Sequence, residues 1–446
     1  MAKLFGTDGI RGKAGCYPII PNVALDVGRA AVEFCGNGRP KKPTVLIGCD
    51  TRLSSDMLVH ALASGVSQAG GDAEIVGVIP TPAVAYLTRS LGAACGIVVS
   101  ASHNPYEDNG IKLFGADGFK LSDALEEAIE DRLNRGGFQE GSDFGTVRLV
   151  KDGVRRYLDF LKGTVRLARG KTGARFIVDC ANGAASEVAG TLFQELGLSV
   201  RVIHDRPDGK NINRDCGSQH PRVLSDVVRS KKADAGFALD GDGDRLIAVD
   251  DTGAVLTGDR ILAILARHLQ RSGRLAGEVV VSTVMSNAGL GRALCAMGIR
   301  HVTTRVGDRW VMEAMRQHGA VLGGEDSGHL IFASRHTTGD GLLTALLLIE
   351  ALLESGAPLS QLKQVMTPFP QVLMNVPVSR KPELESVEPI QAAIRAIQEE
   401  LNAEGRVLVR YSGTEPLCRV MVEGPTEEVT RSLCARLAET VAKILG

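Results

Sequence analysis

The run Cys95-Gly96-Ile97-Val98-Val99-Ser100-Ala101-Ser102-His103-Asn104-Pro105 reads as a buried strand breaking into a polar loop. Small and apolar residues stop at small polar ones, and Pro105 biases Asn104 away from the helical region. Ser102 is thereby presented at a strand end. A serine hydroxyl is a weak nucleophile unless a base, a cation or a metal activates it, so the activator must be sought elsewhere in the chain. His103 does not qualify as a dyad partner on this reading, because adjacent side chains on an extended segment diverge.

Outward from this loop, strand and helix signals alternate. Thr44 to Gly48 reads as a strand, Asp56 to Ala69 as a helix with Ser54 or Ser55 as N-cap, and Ala73 to Val78 as a strand. Thr81-Pro82 has the cap-then-proline signature of a helix running to about Leu91. A second unit runs from a strand at Arg175 to Asp179 to another at Ala235 to Asp240. A third starts with a helix at Arg260 to Gln270 and reaches Val321 to His329. Prolines between Thr367 and Pro370 mark the last boundary, beyond which come strands at Val407 to Arg410 and Arg419 to Val422 and a terminal helix, Glu427 to Leu445. The expected fold class is α/β: three similar α/β domains with mixed sheets, plus a smaller C-terminal α+β domain, around one cleft. The expected domains are 1–152, 153–253, 254–367 and 368–446, with Arg135 to Asp152 as a linker. Since ligands in open α/β sheets bind beyond the carboxyl ends of strands, each domain is expected to bring one polar loop to that cleft.

Composition narrows the partners. Lys and Arg number 51 against 52 Asp and Glu, a formal net charge of -1 in 446 residues, so no global field points to nucleic acid or an anionic membrane. Aromatic residues make up 4% with a single Trp310, too few to stack bases along a groove. Nine cysteines are dispersed and never spaced C-x-x-C, which fits reduced thiols in the cytoplasm. No signal peptide or membrane span is read in the chain.

Asp240-Gly241-Asp242-Gly243-Asp244-Arg245 sets three carboxylates at alternate positions, on one face of an extended segment, with glycines that let the oxygens converge. An EF-hand fails here, because its sixth position needs Gly where Arg245 sits and its twelfth a bidentate Glu where Asp251 sits. Mg2+, which takes a few carboxylates and a phosphate oxygen, suits the trio better. The alternative is an Asx-rich surface turn, although three carboxylates side by side repel unless something cationic joins them. Arg410-Tyr411-Ser412-Gly413-Thr414-Glu415-Pro416 joins a guanidinium, hydroxyls and turn amides into an anion nest suited to phosphate; a helix cap at Ser412 or Thr414 is the rival. Gly324-Glu325-Asp326-Ser327-Gly328-His329 offers a carboxylate and a hydroxyl for sugar hydroxyls, or is a plain turn.

Taken together, Phe5-Gly-Thr-Asp-Gly-Ile-Arg11, Ser100-Ala-Ser-His-Asn-Pro-Tyr106, Asp108-Asn-Gly-Ile-Lys112, Asp240 to Asp244, Gly324 to His329 and Arg410 to Pro416 resemble the α-D-phosphohexomutase superfamily, and most of all its bacterial phosphoglucosamine mutases. The match spans all four units in order. It implies an isomerase that interconverts glucosamine 6-phosphate and glucosamine 1-phosphate through a phosphoserine and a 1,6-bisphosphate, the rivals being a phosphomannomutase or phosphoglucomutase of the same fold and a non-catalytic sugar-phosphate-binding protein. Carried over, Ser102 is the phosphorylated serine, and Asp240, Asp242 and Asp244 hold Mg2+ together with its phosphate. Arg11 and Lys112 flank the phosphoryl group; Lys112 and His329 are the candidates for general acid and base. Arg245 supports the metal loop, and with His103, Glu325 and Ser327 it belongs to the sugar-binding set. Arg410, Ser412, Gly413, Thr414 and Arg419 grip the phosphate that is not reacting. Asp326 stands where these mutases often carry Gln, and would pair with a substrate ammonium if it faced the sugar. The expected partner is a small-molecule sugar phosphate, with no nucleic acid and no membrane, for a monomer or homodimer.

Overall fold

The computed structural model describes residues 4–6, 8–36, 42–138, 143–167, 173–402, 405–412 and 416–446. They fall into two compact units, Met1–Met285 with Ile299–Gln364, and Ser286–Gly298 with Val365–Gly446. The first unit contains three mixed sheets of seven, five and four strands, and the second a three-stranded antiparallel sheet.

In the seven-stranded sheet, Cys95–Val99 lies at the centre of the order, parallel to Thr44–Cys49 on one side and antiparallel to Asp108–Gly115 on the other. All five of its residues are buried, as a continuous apolar run between covering helices requires. The helices Pro21–Gly36 and Ser55–Gln68 pack on each other so closely that a side-chain carbon at Gly65 would meet Leu25 O at 1.9 Å.

A single topological device recurs. In each sheet of the first unit a parallel strand ends in a polar loop, and the chain returns antiparallel beside it. Cys95–Val99 is followed by Asp108–Gly115, with Val99 opposite Ile111. Ala235–Leu239 is followed by Leu246–Asp250, with Leu239 opposite Leu246. Leu322–Gly324 is followed by Leu330–Phe332, with Gly324 opposite Leu330. In the second unit, whose sheet is antiparallel throughout, Arg406–Tyr411 and Leu417–Glu423 share only the antiparallel return, with Tyr411 opposite Cys418. The polar loops read from the sequence are therefore hairpin connections.

Several local expectations change. Ser54 sits at the N-cap position of Ser55–Gln68 but makes no side-chain cap; its Oγ instead accepts from Asn109 Nδ2 at 2.8 Å. Thr81 is the first residue of its helix, behind Pro80, and its hydroxyl is committed elsewhere, as described below. Within the stretch expected as a linker, Val147–Leu149 is a strand that adds to the edge of the seven-stranded sheet beside Asp72–Val78. Among the described residues no single helix is long and apolar enough to cross a membrane.

Candidate active site

Asp240, Asp242 and Asp244 follow the strand Ala235–Leu239 and are 0%, 1% and 3% exposed, which rules out the surface-turn alternative. The two intervening glycines have different reasons. Gly243 has φ +72°, a conformation that disfavours side chains, whereas a side-chain carbon at Gly241 would lie 2.6 Å from Ser102 O. Each aspartate places one oxygen within 4.8 Å of the other two. Asp242 Oδ1 and Asp244 Oδ1 are buried without a hydrogen-bond partner.

Two other donor groups exist among the described residues, Asp179 with His204 and Cys216, and His268 with Glu350 and Glu354. In the first, the carboxylate is already committed to the amides of Ala181 and Gly217 and to His204. In the second, Glu350 binds Arg274 and His268. Only the aspartate trio keeps buried carboxylate oxygens without partners, and three hard anionic donors of this kind fit a divalent cation.

The Ser102 hydroxyl donates to Asp240 Oδ2 at 2.6 Å, across 138 residues. Ser102 is fully buried with φ 52°. That left-handed turn corrects the expectation that His103 diverges: His103 Nδ1 lies 3.4 Å from Ser102 Oγ. Burial, with Arg245 and Arg11 nearby, pushes the His103 ring down to about 4, so it is neutral at pH 7. Burial and the charges of Asp244 and Asp242 raise the Asp240 carboxyl well above its usual range, the repulsion that a cation relieves.

The positive charge converging on this centre belongs to Lys112 and Arg245, with Arg11 beyond them beside Asp8. Lys112 lies on Asp108–Gly115 opposite Val98 and is 2% exposed. Its Nζ is 2.7 Å from Asp242 Oδ2, 3.1 Å from Asp8 Oδ2 and 3.8 Å from Asp244 Oδ2. Burial opposes its charge, but Asp242, Asp8 and Asp244 outweigh it and raise its pKa. Arg11 pairs with Asp8 and keeps its buried Nε without a partner.

These groups close into a ring of alternating charge that the sequence did not reveal. Asp8 also binds Lys120, whose ammonium is 2.5 Å from Asp308 Oδ2. His329 Nε2 is 3.5 Å from Asp308, and its Nδ1 is 3.5 Å from Asp244 Oδ2. Burial opposes protonation of His329, yet Asp244 and Asp308 together raise its pKa above 6.5; the Gly339 amide, 3.1 Å from Nε2, suits the neutral ring with its proton on Nδ1. Thr81 is a further residue missed from sequence. Its hydroxyl, expected to cap a helix, donates to Asp242 Oδ2 at 2.7 Å. Thr81, Lys120 and Asp308 carry no local signal of these contacts, because their partners are remote in the chain, whereas Asp8 lies in the Phe5 to Arg11 motif with its partner Arg11.

Arg245 donates its amide to Asp240 Oδ1 at 3.1 Å and brings its guanidinium within 3.7 Å of Asp244 Oδ1. Glu325 Oε1 accepts the Gly307 amide at 2.9 Å, and Ser327 Oγ is buried without a partner. Asp326 instead accepts the amide of Asp259, in the first turn of the helix Gly258–Arg271, at 3.2 Å. One of its oxygens is therefore committed to a helix start.

In the C-terminal unit, Arg410 and Arg419 face each other across Arg406–Tyr411 and Leu417–Glu423. Burial and the neighbouring Arg419 charge lower the Arg410 pKa, and Arg410 Nε is buried without a partner. Two guanidiniums held in register have the charge and geometry that suit an anion. Ser412 directly follows a strand and its amide donates to Leu417 O at 2.9 Å, so it caps no helix. Thr7, Gly413 and Thr414 lie outside the described residues.

Family models match this chain along almost all its length. Phosphoglucomutase/phosphomannomutase alpha/beta/alpha domains I, II and III match residues 2–140, 155–253 and 257–369, and the C-terminal domain matches 373–440. The chain is 50% identical over 450 residues to a phosphoglucosamine mutase of Syntrophus aciditrophicus (strain SB), covering 100% of each. It is 47% identical over 453 residues to a phosphoglucosamine mutase of Bacillus subtilis (strain 168), again covering 100% of each. Among solved structures it resembles a phosphoglucomutase/phosphomannomutase family protein from Burkholderia thailandensis, with TM-score 0.82, 27% identity, and coverage of 99% of this chain and 98% of that one. With serine, aspartate trio and cations in place at the ends of these sheets, the chain belongs to the phosphoglucomutase/phosphomannomutase family, the α-D-phosphohexomutases.

Proposed function

We propose that this enzyme interconverts glucosamine 6-phosphate and glucosamine 1-phosphate, with Ser102 as phosphoryl carrier and glucosamine 1,6-bisphosphate as the intermediate. The observation that carries this reading is the placement of Ser102 Oγ 2.6 Å from Asp240, beside a trio with two unpartnered buried carboxylate oxygens. Asp240, Asp242 and Asp244, with the Ser102 phosphate, would hold Mg2+, which when bound would supply positive charge against the phosphoryl oxygens.

The chain's own residues do the rest. In the forward half, the bond from phosphorus to Ser102 Oγ breaks and a bond to the sugar hydroxyl forms. Lys112, kept cationic by its carboxylate neighbours, and Arg11 neutralise charge on the transferring group. A group that stays charged is a poor base, which leaves His329, whose ring accepts the Gly339 amide at Nε2, to take the hydroxyl proton. Glu325 and Ser327 hold sugar hydroxyls, with Arg245 and His103 beside them. After the bisphosphate reorients, its other phosphate returns to Ser102. Arg410, Ser412, Gly413, Thr414 and Arg419 hold the phosphate that is not reacting, because a substrate phosphorylated at one end and reacting at the other needs both ends bound. The nine free cysteines fit a reducing cytoplasm.

Intact-mass measurement and turnover test this. One phosphate is expected on the purified protein and none on Ser102→Ala, which should be inactive; full turnover in that variant sinks the phosphoserine. A higher kcat/KM for glucose or mannose phosphates than for glucosamine phosphate would move the enzyme to the neutral-sugar mutases.

A further inference from the structure

Ser102 occupies a backbone conformation that non-glycine residues visit sparsely, and its own peptide groups are held there from two sides. Its N–H donates to Ser100 Oγ at 2.9 Å, and Ser100 in turn donates to Asp50 Oδ2 at 2.6 Å. Its carbonyl accepts from Arg52 Nη2 at 3.0 Å and from Asn213 Nδ2 at 2.8 Å. The same two side chains reach the next turn of the loop, donating to Asn104 O at 2.9 Å and 3.0 Å.

Arg52 is fixed from behind. Its Nε binds Asp50 Oδ2 at 2.8 Å, with both side chains at 0% exposure, and its Nη1 donates to the carbonyls of Asp108, at 2.9 Å, and Pro105. A planar fork reaching five acceptors in this way has no equivalent in lysine. Asn213 comes from the chain of the five-stranded sheet: its amide donates to Ala181 O at 2.9 Å, and it has φ 58° itself. The close approach at Gly241 belongs to the same construction, since a side-chain carbon there would lie 2.6 Å from Ser102 O and 2.7 Å from Asn213 Nδ2.

We infer that Arg52 and Asn213 are positioning residues for phosphoryl transfer: they lock the Ser102 carbonyl so that Oγ is aimed at the aspartate trio rather than along the extended strand. Neither side chain touches the substrate in this role. Both act through the serine, which distinguishes them from Arg11 and Lys112. The inference rests on the phosphoserine reading above.

The test uses full-length Asn213→Gly, Asn213→Asp and Arg52→Lys beside the wild type. Glycine accepts the backbone angle of residue 213 while deleting the donor, so this variant should melt like the wild type even if Arg52→Lys folds poorly. The expected result for Asn213→Gly is a kcat lower by about 10- to 100-fold, the size of effect that slight misplacement of a reacting group produces, with KM for glucosamine 6-phosphate within about twofold. Single-turnover release of phosphate from Ser102 should slow in parallel. Asn213→Asp, which turns a carboxylate oxygen toward two carbonyls, should be slower still. Wild-type kcat in Asn213→Gly, a change confined to KM, or a loss of rate that only follows loss of folded protein overturns the positioning role. A wild type lacking phosphate on Ser102 overturns the phosphoserine reading itself, and this inference with it.

Discussion

Lys112 Nζ stands 2.7 Å from Asp242 Oδ2, and the two side chains are 2% and 1% exposed. A lysine from the first sheet is thus sealed against an aspartate of the second, and the same ammonium reaches Asp8. Removing the lysine leaves Asp242 buried and uncompensated, whereas neutralising Asp242 leaves the ammonium still facing Asp8.

Lys112→Met should therefore lose on both counts. Stability is expected to fall by about 3–5 kcal/mol, the cost of breaking a buried ion pair, and kcat by about 10²–10³-fold, as for other electrostatic groups at a reacting centre. Denaturant unfolding and steady-state kinetics check these separately, and a variant of unchanged stability would contradict the buried pairing.

Asp242→Asn has a different signature. One oxygen of Asp242 accepts from Thr81 and Lys112 while the other has no partner, so asparagine can keep the first contacts and lose the anionic donor. Removing one of three repelling carboxylates offsets part of the cost. A small stability change is expected, with Mg2+ affinity, measured by titration calorimetry without substrate, weakened by at least about tenfold, the scale of a lost metal-site group. Undiminished Mg2+ binding would remove Asp242 from the metal site.

Arg410→Ala should raise KM and lower kcat together. The guanidinium faces Arg419 across the C-terminal hairpin and is partly desolvated, an arrangement that favours an anion. If the nest both grips phosphate and excludes water, binding and turnover are coupled. Kinetics indistinguishable from wild type would detach the nest from the reaction.

A fourth expectation concerns acid stability, away from the site. Burial works against the charge of Glu350, but His268, the Arg166 amide and Arg274 outweigh it and bring its pKa from 4.5 down to about 2. A carboxylate depressed in the folded state contributes stability that is present above its unfolded value near 4.5 and is lost as pH falls through about 2. Over that window the shift corresponds to about 3 kcal/mol. Glu350→Gln should be destabilised by about this amount at pH 7 and nearly level with wild type at pH 2. Unfolding free energies of both proteins across that pH range measure it; parallel curves would refute it.

The chemical groups were legible early because each sits in a short polar run at the end of an apolar strand. Ser102, the aspartates and Arg410 announce themselves by residue type and by abrupt loss of hydrophobicity. The hairpin returns were less legible, since a strand running into a polar loop looks the same whether a helix or an antiparallel strand follows. Expected caps failed at Ser54 and Thr81 for one reason: a hydroxyl at a helix start is equally able to bond a remote side chain, and Asn109 and Asp242 are within reach.

By itself, then, the sequence determined the inventory: a serine at a strand end, three alternating carboxylates, an arginine nest, and alternating elements that bury continuous apolar strands. These follow from local patterns of polarity and turn chemistry. The tertiary structure alone decided the handedness of Ser102, the seating of Lys112 between Asp8 and Asp242, and the clamp of Arg52 and Asn213. Such relationships join residues as far apart as Ser102 and Asp240, 138 positions along the chain. Contacts of that range exist only once separate sheets have packed, and no local preference encodes them.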